Sequence, residues 1–112
     1  MPGPFECPAF TPLNGGLGVS ITAVSGSATN GTFPTLANGV RADTIAITNA
    51  GTDTVYIGLG VTATTACMAI PPGTYFVNMP NAGSSSAPTY ISGIAVSGSH
   101  LVQATLGNSV VG

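Results

Sequence analysis

Large apolar residues alternate with small or polar ones along most of the chain beyond residue 16. The alternation runs through residues 17–23, 44–48, 55–59, 89–96 and 100–106. A side-chain period of two places successive residues on opposite faces of a β-strand. We therefore predict a half-buried strand at each of these segments. Three shorter segments have the same character: residues 32–36, which Pro34 interrupts, 67–70 and 74–79.

Turn residues separate these segments. Residues 25–31 contain Asn30-Gly31 and are predicted to form a loop, because Asn and Gly adopt positive φ readily. The stretch Arg41–Gly60 is the clearest hairpin in the sequence, since the turn residues 49–53 (NAGTD) lie between two alternating segments. Pro71-Pro72-Gly73 is predicted to reverse the chain.

The spacing of these turns indicates the fold class. Turn signals recur about every 8–12 residues, which is typical of a β-sandwich or a β-barrel. We predict an all-β fold, a single antiparallel β-sandwich or jelly-roll-like barrel of seven to eight short strands. Residues 62–68 are the one segment that could form a single helical turn. The 112 residues suit one domain, which we assign to residues 17–112.

Residues 1–16 are predicted to form an extended, proline-rich N-terminal arm. Four prolines interrupt this segment, and proline excludes a regular helix or a central strand. Phe5, Phe10 and Leu13 are its apolar anchors and our candidate interface residues. Two packing arrangements remain open, one on the arm's own domain and one on a neighbouring subunit, and disorder is a third alternative.

Formal charge is scarce. Glu6, Arg41, Asp43 and Asp53 are the only charged residues, 4% of the chain, whereas an ordinary soluble domain has about 25%. Low net charge favours association, so we expect neighbouring subunits to cover much of the surface. Nucleic-acid binding is not expected, because phosphate contacts require several Lys or Arg residues. No apolar stretch reaches the roughly 20 residues of a membrane span.

Cysteine usage and the start of the chain indicate the compartment. Residues 1–10 (MPGPFECPAF) lack the basic start and continuous apolar run of a secretory signal, which predicts synthesis in the cytoplasm. Cys7 and Cys67 are then expected to be free thiols, although sequence leaves their pairing open. A zinc site is not expected, because it needs four ligands and His100 is the one other good candidate.

Three features of the sequence bear on possible chemistry. Residues 58–63 (GLGVTA) fit a degenerate dinucleotide-binding pattern, but no helix follows them, so glycines at a strand end in close backbone contact are the better interpretation. His100 is the one candidate general base, yet no nucleophile-elbow motif accompanies it. Asp43 and Asp53 are candidate ligands for one shared cation, and the alternative is that they are only strand-start and turn residues. We predict no enzyme activity, cofactor, metal or small-molecule substrate.

Several segments together resemble a known family. Residues 41–60 (RADTIAITNAGTDTVYIGLG), 70–74 (IPPGT) and a closing hairpin over residues 90–107 (YISGIAVSGSHLVQATLG) resemble small β-sandwich virion proteins of tailed bacteriophages. The match covers roughly the last two thirds of the chain. The chain departs from the family in its very low charge, and the N-terminal arm lies outside the match.

The resemblance implies a structural role in a virion. The expected function is capsid decoration, in which the protein binds the major capsid protein on the exterior of a phage head and stabilises the shell. We expect a homotrimer, because capsid lattices offer local three-fold points. Alternatives are a head-fibre base, a tail or head–tail ring protein, and a cellular adhesion or carbohydrate-binding sandwich. The last is disfavoured by the absence of Trp and the presence of only three Tyr.

Overall fold

The structure, a computed structural model, describes residues 9–12, 18–34, 42–79 and 87–110. These residues form nine β-strands and contain no helix, so none could cross a membrane as a helix. The all-β prediction is confirmed. The strands are β1 (Ala9–Pro12), β2 (Gly18–Val24), β3 (Thr29–Thr32), β4 (Thr44–Asn49), β5 (Val55–Leu59), β6 (Met68–Ile70), β7 (Gly73–Asn78), β8 (Tyr90–Ala95) and β9 (Ser99–Val110).

The strands form two antiparallel sheets that pack as a β-sandwich. One sheet has five strands, in which β9 pairs on one side with β4, which in turn pairs with β7. On its other side β9 pairs with β1 through residues 107–110 and with β2 through residues 99–105. The second sheet has the order β3-β8-β5-β6.

Alternation places one face of each sheet in the core, as the sequence predicts. In the five-stranded sheet, Ile47 lies opposite Ala104, and Ile21 lies opposite Val102. All of these side chains are buried, whereas their neighbours along each strand face outward. The second sheet contributes buried residues in the same way: Val55, Ile57, Ile70, Ile91 and Ala95.

The two predicted hairpins are wrong. β4 and β5, within Arg41–Gly60, lie in different sheets, and so do β8 and β9, within the segment 90–107. Each connection is an arch that crosses between the sheets. The side chain of Asn49 explains the first arch, because it is buried and donates hydrogen bonds to the carbonyls of Asp53 and Ile70, at 2.8 Å and 2.9 Å. Turn chemistry alone does not distinguish an arch from a hairpin.

Strand β3 also corrects the sequence prediction. It comprises Thr29–Thr32 and pairs with β8, whereas the sequence predicts a loop at Asn30-Gly31 and a strand at residues 32–36. Gly31 is required by close packing, since a Cβ atom there would lie 2.5 Å from Val19 Cγ2 and 2.6 Å from Ile21 Cγ2. Pro34, which has no N–H to donate, follows soon after the end of the strand.

Part of the proline-rich segment belongs to the sandwich. Residues 9–12 form β1 and pair with residues 107–110 of β9, so this part of the arm lies on its own sheet. Pro12 is tolerated there because an edge strand leaves some of its N–H groups unpaired. The assignment of residues 1–16 as a separate arm remains a prediction, as does the boundary at residue 17.

The segment between β5 and β6 forms a turn. The backbone N–H of Cys67 donates to the carbonyl of Thr64 at 2.9 Å, which closes one turn where the sequence suggested a single helical turn. Cys67 is a free, half-buried thiol. Cys7 lies outside the described residues.

Candidate interaction surface

The surface with the clearest functional character is the solvent side of the five-stranded sheet, which we call the outer face. It extends across β2, β9, β4 and β7, and the strand pairing brings its residues into continuous rows; Ser20, Gln103, Thr48 and Thr74 form one such row. The outer face comprises Gly18, Ser20, Thr22, Ala46, Thr48, Thr74, Phe76, Leu101, Gln103 and Thr105.

No residue of the outer face carries a charge. Hydroxyl and amide groups make up most of it, and some of them bond to one another, as the hydroxyls of Thr48 and Thr74 do at 2.9 Å. Two large apolar side chains add to it, Leu101 at 43% exposure and Phe76 at 44%. Desolvation of such a surface costs less free energy than desolvation of a charged one, provided that its polar groups find new hydrogen-bond partners.

A shallow groove lies across the middle of the outer face. Its volume is about 320 Å³, and its lining includes Ser20, Thr48, Gln103 and Thr105. The groove is open to solvent and carries donors and acceptors on three adjacent strands. Its chemistry suits an uncharged polypeptide surface, because each hydroxyl and the Gln103 amide can exchange a hydrogen bond with water for one with a partner.

The two described carboxylates lie at opposite ends of β4. Asp43 precedes the strand, where its carboxylate accepts a hydrogen bond from the Thr44 hydroxyl at 2.8 Å. Asp53 follows the strand in the β4–β5 connection, and the six residues of β4 span about 20 Å. A cation shared by Asp43 and Asp53 is therefore excluded. Within the described ranges, no three His, Cys, Asp or Glu side chains lie together.

His100 is a buried residue that joins two connections. Its side chain is 7% exposed, and Nε2 donates to the carbonyl of Ser97 at 2.8 Å, since a carbonyl can only accept. The carboxylate of Asp53 lies 3.6 Å from the same nitrogen. The opposite side of the ring lies against Gly51. His100 therefore links the β8–β9 and β4–β5 connections, and Nε2 is directed at a backbone carbonyl.

The glycines of the segment 58–63 serve close packing. A Cβ atom on Gly58 would lie 2.6 Å from the carbonyl oxygen of Val61, so the chain after β5 folds back over its own strand. The N–H of Ala63 then donates to the buried hydroxyl of Ser92 at 2.8 Å. This loop covers part of the solvent side of the four-stranded sheet, which leaves the outer face as the more open of the two.

The predicted interface anchors fall outside what can be described. Phe5 and Leu13 lie outside the described residues. The backbone of Phe10 is in β1, opposite Ser109, but its side chain is also outside the described part. Sequence reasoning missed the outer face, although the alternation that predicted the core also identifies Ser20, Thr48 and Gln103 as its solvent-facing partners.

No protein-family model, curated protein or solved structure matches the chain.

Proposed function

We propose that the protein is a structural virion protein, made in the host cytoplasm, that decorates the exterior of a bacteriophage head. In this proposal it is a homotrimer that binds the major capsid protein and acts as cement between capsomers. The observation that carries the proposal is the outer face, which spans four strands and contains no charged side chain. A chain with four charged residues in 112 has little charge repulsion to keep free copies apart in solution. Its surface therefore suits permanent burial in an assembly.

The physical argument rests on the cost of burying charge. A charged group that is desolvated without a partner costs several kcal/mol, whereas hydroxyl and amide groups exchange one hydrogen-bond partner for another at little net cost. Binding only to the assembled shell stabilises that shell by mass action. An uncharged, flat face is therefore well suited to cement contacts that are repeated many times over a lattice.

We further infer that the sandwich is a jelly roll. Support comes from the order of β2-β9-β4-β7 in one sheet and β3-β8-β5-β6 in the other. From β2 to β9, every consecutive pair of strands except β5 and β6 changes sheet. Eight-stranded jelly rolls made of two Greek keys are typical of viral capsid proteins and also of lectins. The strand arrangement is thus consistent with a virion role.

Binding to empty heads tests the proposal directly. Shells of the major capsid protein from the same genome, assembled without this protein, are mixed with the purified chain and sedimented. We expect saturable binding at a fixed ratio to the capsid protein and a higher temperature of shell disruption. A chain that stays in the supernatant at all concentrations would refute a decoration role.

A matched pair of variants locates the contact. Gln103→Lys places a charge at the centre of the outer face, and Thr62→Lys places one in an exposed loop. We expect the first to lower shell occupancy at least tenfold and the second to leave it unchanged, while both retain the melting temperature of the parent. Equal binding by the two variants would remove the outer face as the capsid contact.

The contribution of the predicted arm, residues 1–16, is tested by deleting only the part of it that precedes β1. Because residues 9–12 pair with β9, deleting residues 1–16 would remove a strand of the sandwich. Deleting residues 1–8 leaves β1 in place. We expect this deletion to lower shell occupancy without changing the melting temperature, and unchanged occupancy would assign the arm to its own domain.

A further inference from the structure

The two sheets differ in how their edges are protected. In the four-stranded sheet the edge strands are short: β3 has four residues and β6 has three, and Pro34 and Pro71 follow close behind them. In the five-stranded sheet the edge strands β2 and β7 have seven and six residues and contain neither proline nor charge. Short strands, proline and charge are the usual means of preventing edge-to-edge association. Only the five-stranded sheet has edge strands without such protection, β2 and β7, whereas the short β1 beside β2 ends in Pro12.

The edges of β2 and β7 offer hydrogen-bonding groups to a further strand. In an antiparallel edge strand, every second residue directs its N–H and C=O away from the sheet. Three of the six residues of β7 therefore do so, over a length of about 20 Å. Among the described residues, no strand pairs with the outer edge of either β2 or β7, and an isolated bridge from Val24 to Ser27 occupies only the end of the β2 edge.

We propose that β7 of one copy pairs with β2 of the next copy, so that the five-stranded sheets join edge to edge in a closed ring. The strand directions permit this pairing. β2 is antiparallel to β9, β9 to β4 and β4 to β7, so β2 and β7 run in opposite directions. A neighbouring β2 beside β7 continues the antiparallel alternation and keeps the outer faces of both copies on the same side.

A second copy fits these edges for two reasons. Neither strand carries a charge, so no like charges meet, and the two strands are nearly equal in length. Pairing β7 with β7 in a two-fold dimer would leave both β2 edges open to further growth. Pairing β7 with β2 uses both edges in a single type of contact, and growth stops when the ring closes. This inference rests on the homotrimer of the proposed function and names the contact that builds it.

Three matched threonine substitutions test the contact in the absence of capsids. Thr74→Lys places a charge on β7, Thr22→Lys places one on β2, and Thr62→Lys is the loop control; all three threonines are exposed. Light scattering on a sizing column measures the native mass. We expect the parent and the control at three times the 10.9 kDa of one chain, and the two strand variants at the mass of one chain.

Mixing the two strand variants provides an independent readout that requires folded protein. The β7 variant retains an open β2 edge, and the β2 variant retains an open β7 edge, so the mixture should give a two-chain complex that neither forms alone. Strand variants that remain trimeric, or a mixture that stays monomeric, would overturn the edge contact. Neither result would overturn the homotrimer or the decoration role, which are tested separately. A monomeric parent would overturn the homotrimer and the edge contact together.

Discussion

The imidazole of His100 lies directly against the backbone of Gly51, where a Cβ atom would stand 2.4 Å from Nδ1 and 2.5 Å from the Cβ of His100. Gly51 belongs to the β4–β5 connection, and His100 lies at the start of β9, so the contact joins two sections of chain about 50 positions apart. The arch between the sheets depends on the absence of a side chain at Gly51.

Gly51→Ala should therefore destabilise the fold. The added methyl group meets a buried ring that is also held by Ser97, so either the ring or the loop must move. We expect the free energy of unfolding to fall by about 1–3 kcal/mol, the usual cost of overpacking a close contact. Urea denaturation monitored by circular dichroism measures the change.

The partner residue supplies the control for this prediction. In a His100→Ala background the ring is gone but the Cβ atom of residue 100 remains, so the same Gly51→Ala substitution should cost less than in the parent, because the two residues are coupled. A cost that is identical in both backgrounds would show that the strain at residue 51 does not come from the ring.

Asn49 is the second determinant of the arch. Besides its two donated bonds, its side-chain oxygen accepts from the N–H of Gly51 at 2.9 Å. Asn49→Ala should lower the free energy of unfolding by about 2–3 kcal/mol, because a buried carbonyl left without a donor costs roughly 1–3 kcal/mol. Asn30→Ala, on the exposed side of β3, is the matched control and should stay within about 0.5 kcal/mol of the parent. Thermal and urea unfolding of both variants measure the difference, and equal losses would mean that Asn49 does not hold the arch.

Alternation in the sequence was sufficient to locate most strands but not to pair them. Ile47 has the pattern of a core residue, yet its neighbours across the strands are Tyr75 and Ala104, far along the chain. Turn residues indicate where the chain changes direction, whereas the choice between a hairpin and an arch is made by tertiary contacts such as those of Asn49. The outer face was predictable in its composition, but the joining of its strands was not.

Gly31 shows why β3 escaped prediction. Asn-Gly is a strong local turn signal, but here the glycine is used to admit Val19 and Ile21 from the facing sheet. Gly31→Ala should lower the free energy of unfolding by about 1–3 kcal/mol. In a Val19→Ala background, which removes one of the two close atoms, the same substitution should cost less, and both costs are measured by urea denaturation. Absence of any cost in the parent would mean that the sheets can separate at this point without penalty.

Self-association should be nearly independent of salt. The β2 and β7 edges and the outer face carry no charge, so there is no Coulomb term for ions to screen. Raising NaCl from about 50 mM to about 500 mM should change the dissociation constant less than about twofold, whereas sulfate should tighten association by strengthening apolar burial. Sedimentation equilibrium in the two salts measures this. A tenfold weakening in NaCl would indicate that charged residues outside these strands carry the contact.

Folding should be slow for a chain of this length. Among the described strands, β5 and β6 are the only consecutive pair joined by hydrogen bonds, and β1 pairs with residues about 100 positions away. Loops must close before such non-local pairings contribute any stabilisation, so folds of this kind refold in milliseconds to seconds. We expect refolding from urea, followed by tyrosine fluorescence, to take on the order of 1 s or longer at low protein concentration. Gly51→Ala should mainly accelerate unfolding if the arch forms after the transition state. Refolding within about 1 ms would contradict a fold dominated by crossovers between sheets.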